Sequence, residues 1–466
     1  MKKLVCFLVI LSVIISLVGC GDTAKNPPTL NGVKLTEFTI VYDEDGLDYN
    51  KRAAEYIRDE VRERIGIELS VVDDGEDAAE HEIVVGETSR PISAALNAEC
   101  EGLEFGILAS EGSVALEGDY FIIAAAAYFF INTYVVEPGY EASVPETVSV
   151  HQPIVKKANN FILLIGDGMG VYQSELFGYM ENDREYSDGE DLFYAHLLPY
   201  RGFSRTNSLS GVTDSAAGGT ALACGIKTNN GYIGKDSELR DVKSLTELAY
   251  ELGMAGGVMS TESKTGATPS AFSAHASDRS NTSEITSSQL AARVDYGTVI
   301  DCGYNYYNQR YMEVIEGHIE DTLGKLSENE KGFFLMYEEA HIDKHSHSND
   351  AEATFDSLVR FNQAIARFME YAFYNPDTFI LITADHETGG LYPDENGTLG
   401  YHTSDHTDAD VPVFAYGAGA ELFDGLTIEN IQIAHTIASF MGDNNFGDQS
   451  VYKSLMKKDF YAKPLN

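Results

Sequence analysis

Basic residues are scarce in this chain. It holds 32 Lys and Arg against 73 Asp and Glu, a formal net charge of −41. A surface of that sign repels phosphate backbones and argues against general nucleic-acid binding. It also repels anionic substrates at long range, so an enzyme acting on anions would need a local cationic centre to reverse the field. Cysteine is scarce too. The five are Cys6, Cys20, Cys100, Cys224 and Cys302, with no CxxC. One disulfide is compatible with that set, but a thiolate zinc site is not suggested, and any metal must rely on His, Asp and Glu. Internal repeats and low-complexity tracts are absent. With 44% hydrophobic and 23% charged residues, the composition is that of a globular protein and excludes a disordered, collagenous or multi-span membrane chain. At 466 residues, two domains are the natural division.

The first 20 residues are read as a targeting segment. Lys2 and Lys3 precede an apolar run over 4–18 that ends in Leu17-Val18-Gly19-Cys20. The run is short for a spanning helix. It resembles a bacterial lipoprotein signal, in which Cys20 is lipidated after cleavage; the alternative is an N-terminal anchor helix. Either reading places the rest of the chain outside the cytoplasm, tethered to the membrane. Residues 21–35, with Asn26-Pro27-Pro28, read as a tether.

Patterning changes near residues 150–158. Before it, 36–150 reads as a small two-layer α/β domain: strands at 38–42, 67–72 and 82–85, a hairpin at 105–109 and 113–117, and helices at 49–65 and 119–135. Around Glu82-Ile83-Val84-Val85-Gly86-Glu87-Thr88 it resembles the accessory domain beside the catalytic domain of some extracellular glycoside hydrolases. It carries no catalytic constellation, which favours a structural or docking role. From 155 to 466 strands and helices alternate. Strands are expected at 161–165, 257–261, 332–337, 378–383 and 411–416, and helices at 244–252 and 355–368. Continuous apolar strands between helices indicate a largely parallel sheet sandwiched by helices.

Three carboxylates share one address. Asp167, Glu338 and Asp385 each follow or end such a strand, where open α/β sheets bind ligands. Together they would repel one another unless a cation held them. Histidines join them: Asp385-His386, the segment His341-Ile342-Asp343-Lys344-His345-Ser346-His347, and His402 and His406. In a helix, Asp343 and His347 fall one turn apart and can grip one metal. Oxygen and nitrogen donors without sulfur suit zinc, with magnesium or manganese at an all-oxygen position. Ser215, in Thr213-Asp214-Ser215-Ala216-Ala217-Gly218-Gly219, is the candidate nucleophile. Small residues follow it, and a serine opening a helix meets the positive end of the dipole, where phosphate is favoured. There is no GxSxG elbow, so a metal would have to activate the hydroxyl.

These pieces resemble an alkaline phosphatase. The matching segments are Gly166-Asp167-Gly168-Met169-Gly170, Thr213-Asp214-Ser215-Ala216-Ala217, Ala267-Thr268-Pro269, His275-Ala276-Ser277-Asp278-Arg279, Glu338 with Asp343 and His347, Asp385-His386, and His406. They occur in family order over about residues 159–420. The resemblance implies phosphate monoester hydrolysis at alkaline pH through a phosphoserine on Ser215. It implies one zinc on Asp343, His347 and His406, a second on Asp167, Asp385 and His386, and a magnesium on Asp167, Thr268 and Glu338. Arg279 would clamp two phosphate oxygens, and Lys344 would contact phosphate through water. Members are often dimers, so a homodimer is left open. One departure stands out: the position two before Thr268 is an aspartate or histidine in well-known members and Gly266 here, which leaves the magnesium site short of a side chain. Among the extra histidines, His402 is the one expected nearest the site. A sulfatase is disfavoured because Asp214-Ser215-Ala216-Ala217-Gly218 lacks the C/S-x-P-x-R context. A phosphodiesterase of the same superfamily, or a surface glycan-binding protein with a relict hydrolase domain, are the alternatives.

Overall fold

The structure is a computed structural model. It describes residues 26–43, 48–96, 100–179, 192–291, 309–394, 398–450, 454–455 and 463–464, the backbone alone at 309–313 and 463–464. The targeting segment with Cys20, and Cys302 with the following tyrosines, lie outside the described residues. The chain forms two compact units, residues 1–100 with 104–152, and residues 101–103 with 153–466.

The first unit is built on a six-stranded sheet. Its order is Val71–Asp73, Thr39–Tyr42, Glu82–Val85, Ser113–Glu117, Phe105–Ser110 and Ser149–His151. The first four strands are parallel, and the last two pairings are antiparallel. Glu82–Val85 is buried throughout, as an inner parallel strand must be. The helix Asp48–Ile65 buries Ala54, Ile57, Val61 and Ile65, one stripe at helical spacing. A short helix, Pro91–Leu96, was not expected from the sequence. It packs Ile92 and Leu96 against Val84, Leu108 and Ala115. Six residues carry too few periods for the pattern to be read. Part of the expected tether is also structured. Thr29–Leu30 pairs with Val33–Lys34 and with Glu141–Ala142, held by buried Leu30 and Leu35.

The second unit carries an eight-stranded sheet. The order is Ala255–Ser260, Phe333–Glu339, Asn160–Gly166, Thr378–Thr383, Val411–Tyr416, Tyr200–Arg205, Leu426–Glu429 and Lys463–Pro464. The sheet is mixed. Six strands run one way; Val411–Tyr416 and Lys463–Pro464 run against their neighbours. Side chains alternate across the central strands. On one face Phe161, Leu163, Ile165, Phe334 and Met336 join Leu222, Leu248 and Ile437 of three helices, Ser215–Cys224, Leu245–Leu252 and Ile431–Met441. On the other face Tyr337 stacks against Phe361 and meets Phe368 edge-on, both from the helix Ala351–Tyr374. Strand direction gathers the carboxyl ends of the four parallel strands at one rim. Asp167, Glu338, Asp385 and the segment after Ser260 all lie there.

Candidate functional site

Ser215 is the first residue of a ten-residue helix, Ser215–Cys224. Asp214 caps it: its Oδ1 accepts the Ala217 amide at 3.0 Å, and both of its oxygens receive the Gly231 amide. The same carboxylate holds Arg279, whose Nη1 lies 3.1 Å from Asp214 Oδ2. Burial works against the Arg279 charge, but Asp214 more than offsets it and raises its pKa. Nucleophile and guanidinium are thus fixed to one carboxylate. Gly218 lets this helix close on Asp385, since a Cβ there would fall 2.8 Å from the Asp385 carbonyl oxygen.

Across from the helix, His386 Nε2 stands 3.1 Å from Ser215 Oγ. It is also 3.4 Å from Asp167 Oδ1 and 3.3 Å from Asp385 Oδ2. The other ring nitrogen, Nδ1, lies 3.2 Å from Thr388 Oγ1, whose proton goes to Asp343 Oδ1 at 2.5 Å. Thr388 is thereby an acceptor for Nδ1–H, which leaves the Nε2 lone pair aimed at the serine and the carboxylates. Burial, and then the neighbouring His406, push the His386 pKa well down and keep the ring neutral.

A second set of donors adjoins the first. His347 and His406 bring their Nε2 atoms to 3.1 Å of each other, 3.4 and 3.5 Å from Asp343 Oδ1. Each turns its Nδ1 to a carbonyl, of Ser404 and Thr213 respectively, so each directs its Nε2 at Asp343 and at the other ring. Asp343 and His347 share the helix His341–His347, as the one-turn spacing predicts. Among the described residues, ligand atoms converge in two groups: Asp343, His347 and His406, and Asp167, Asp343 and His386. Asp343 belongs to both. The sequence reading gave the second group Asp385; its Oδ1 accepts the Gly168 and His386 amides, while its Oδ2, 3.3 Å from His386 Nε2, has no hydrogen-bond partner and remains open to a cation. Gly168 makes the Asp343 approach feasible. It has φ +74°, and a Cβ there would sit 2.8 Å from Asp343 Cα.

The remaining expected ligands lie beside these groups. Glu338, next to last in the strand Phe333–Glu339, takes the Ser260 hydroxyl on Oε2. Its Oε1, together with Asp167 Oδ1, Asp385 Oδ2 and Thr268 Oγ1, is buried without any hydrogen-bond partner. A buried polar atom left unsatisfied costs about 1–3 kcal/mol, so four gathered at one place carry a cost that a bound cation would remove. The carboxyl pKa values report the same strain. Burial and then Asp385 raise Asp167 well above the ordinary range; burial and then Glu262 do so for Glu338. Burial and then Asp343 push Asp385 up to about 6. Asp343 moves the other way. Burial opposes its charge, yet hydrogen bonds from the His406 imidazole and the Thr388 hydroxyl hold it well below the usual range. Carboxyl and hydroxyl oxygens packed among imidazole nitrogens fit divalent cations, which would displace the protons that burial otherwise favours on these carboxyls.

Other residues of these segments serve the scaffold. Glu339 points away from Glu338 and pairs with buried Arg360 at 3.1 Å. Burial opposes its charge, but Arg360 brings its pKa down to about 2. His341 leans on Glu339, and His345 on Ala353 and Ser357. His402, expected nearest the site, instead stacks on Tyr392 with ring centroids 4.0 Å apart, and lies in neither donor group. Lys344 extends to Glu262, Nζ to Oε2 2.6 Å. Asp214, Thr388 and Glu262 were not assigned from sequence. Asp214 could have been, as an N-cap residue before a serine-initiated helix.

Sequence and structure comparisons agree on where this chain belongs. It is 28% identical to alkaline phosphatase 4 of Bacillus subtilis over 57% of this chain and 69% of that protein. It is 25% identical to the alkaline phosphatase of Escherichia coli over 62% and 87%. The solved alkaline phosphatase from the Antarctic bacterium TAB5 superposes with a TM-score of 0.54 at 27% identity, covering 62% of this chain and 100% of that one. A family-wide sequence profile described as alkaline phosphatase matches residues 158–318 and 309–398, over half of the sequence, and the chain belongs to the alkaline phosphatase family.

Proposed function

We propose that this phosphomonoesterase works through a covalent phosphoserine on Ser215, with two zinc ions and one magnesium ion. The observation that carries the reading is the Ser215 hydroxyl, 3.1 Å from His386 Nε2, beside buried oxygens that lack partners. Asp343, His347 and His406 would hold one zinc, Asp167, Asp385 and His386 the other, and Asp167, Thr268 and Glu338 the magnesium. Bound there, the cations supply the charge that lowers the serine pKa and neutralises the leaving oxygen.

The chain's own residues do the rest. Ser215 Oγ forms the bond to phosphorus and gives up its proton as the ester's P–O bond breaks. The departing alcohol leaves protonated, and water then cleaves the phosphoserine to release phosphate. Arg279, fixed by Asp214, grips two non-bridging oxygens and favours the dianion of a monoester. Small residues behind Ser215 let the backbone approach the phosphate at the helix N-terminus. Acid quenching during turnover of a labelled monoester should trap phosphate on the Ser215 peptide, and Ser215→Ala should trap none. Label on another residue would refute the assignment.

We place the protein outside the cytoplasm, lipid-anchored through Cys20. The support is the residue 2–20 pattern. Fatty-acid labelling should mark the wild type and not Cys20→Ala; equal labelling would exclude it.

A further inference from the structure

Gly266 opens a gap beside Thr268, and the gap is filled from elsewhere. A Cβ built on Gly266 would meet Glu262 Oε1 at 1.8 Å and Glu262 Cδ at 2.4 Å. The carboxylate of Glu262 therefore occupies the volume into which any side chain at 266 would grow. This carboxylate is anchored on two sides. Its Oε2 accepts from Lys344 Nζ at 2.6 Å. Its backbone amide donates to Ser260 Oγ at 3.0 Å, and Ser260 in turn donates to Glu338. The Glu262 side chain is 19% exposed, so it is neither a free surface group nor part of the core.

The neighbours show what this carboxylate faces. Glu338 and Thr268 are both fully buried, and each presents an oxygen, Oε1 and Oγ1, with no partner. Asp167 Oδ1 is a third such atom. Lys344 Nζ balances the Glu262 charge from one side. Lys344 satisfies one oxygen only. The other, Oε1, points to the Gly266 side, toward the residue before the Ala267–Ala271 helix that carries Thr268.

We infer that Glu262 is a positioning residue of the oxygen-lined cation site at Asp167, Thr268 and Glu338: it accepts hydrogen bonds from the cation's water from the open side, and it holds Lys344 beside the site. An all-oxygen, water-retaining site is the kind that takes magnesium. This inference rests on the metal-dependent reading of the site above. It goes further in assigning the outer part of the site to a side chain four residues upstream of the glycine.

The test is magnesium binding by titration calorimetry on zinc-loaded protein, with zinc content measured in parallel. Wild-type protein should bind one magnesium per chain at this site. Glu262→Gln should weaken that affinity about tenfold or more, with the range set by typical losses for outer partners of metal ligands, while zinc content is unchanged. Gly266→Asp alone should not improve binding, because its side chain collides with Glu262. Glu262→Ala combined with Gly266→Asp should recover affinity lost in Glu262→Ala, since the new carboxylate grows into the vacated volume. Wild-type protein that binds no magnesium would sink the site reading itself. Wild-type binding matched by Glu262→Gln would overturn the Glu262 inference alone. A fold defect would appear as lost zinc in Glu262→Gln, and the double variant then decides: no recovery contradicts the inference.

Discussion

Asp214 joins the nucleophile to the guanidinium that would grip its substrate: one carboxylate caps the Ser215 helix through Ala217 and lies 3.1 Å from Arg279 Nη1. The two jobs can be separated. Asp214→Asn keeps a cap of similar strength but loses the charge that fixes Arg279. Its thermal stability should fall by no more than about 1 kcal/mol, while inhibition by inorganic phosphate weakens several-fold. Asp214→Ala should lose both. Unchanged phosphate inhibition in the asparagine variant would show that Arg279 does not depend on this contact.

Arg279 separates monoesters from diesters. A monoester dianion shares two negative charges over three non-bridging oxygens, and a diester anion shares one charge over two, so the guanidinium gains more from the monoester. Arg279→Ala should reduce kcat/KM for a monoester by about 10²-fold or more, the scale for removing one charge-stabilising donor, and reduce diester hydrolysis much less. Equal losses on the two substrates would remove the basis for assigning Arg279 to monoester recognition.

The raised pKa of Asp385 gives a stability prediction with a definite sign. In metal-free protein its folded value is about 6, against an ordinary 3.8. Between those values the folded state keeps a proton that the unfolded chain has released, so stability drains away as pH rises through that window. The full effect is at most about 3 kcal/mol, from 1.36 kcal/mol per pKa unit. Asp385→Asn removes this term. After chelation it should be more stable than wild type at pH 7–8, with the advantage shrinking toward pH 4. Adding zinc should reverse the order. Denaturant unfolding at several pH values checks it; a difference independent of pH would contradict the assignment.

Much of the site was legible because its chemistry sits at the ends of apolar strands. Asp167 and Asp385 follow continuous hydrophobic runs, and Asp343 and His347 are spaced one helical turn apart. Partner choice was not legible. That Asp343 faces both donor groups depends on Gly168 allowing a close approach and on Thr388 arriving from a distant strand. Glu262 gives no motif, because its meaning comes from the empty Gly266 position beside it. The fold divided similarly. The strands Glu82–Val85 and Thr378–Thr383 match their sequence boundaries. The direction of Val411–Tyr416 could not be read, since strand patterning is identical either way, and its antiparallel pairing with Thr378–Thr383 follows from the route of the intervening chain. Tyr200–Arg205 escaped because its burial alternates and two of its six residues are arginines.

The central claim is that hydrolysis of a phosphate monoester depends on cations held by these side chains. The direct measurement is turnover of a chromogenic monoester at alkaline pH by the purified protein, by the same protein after chelation, and after zinc with magnesium is restored. The account predicts activity that disappears on chelation and returns with the metals, and that Ser215→Ala never shows. Folded wild-type protein with no monoesterase activity under any metal condition, or with activity indifferent to chelation, would contradict it.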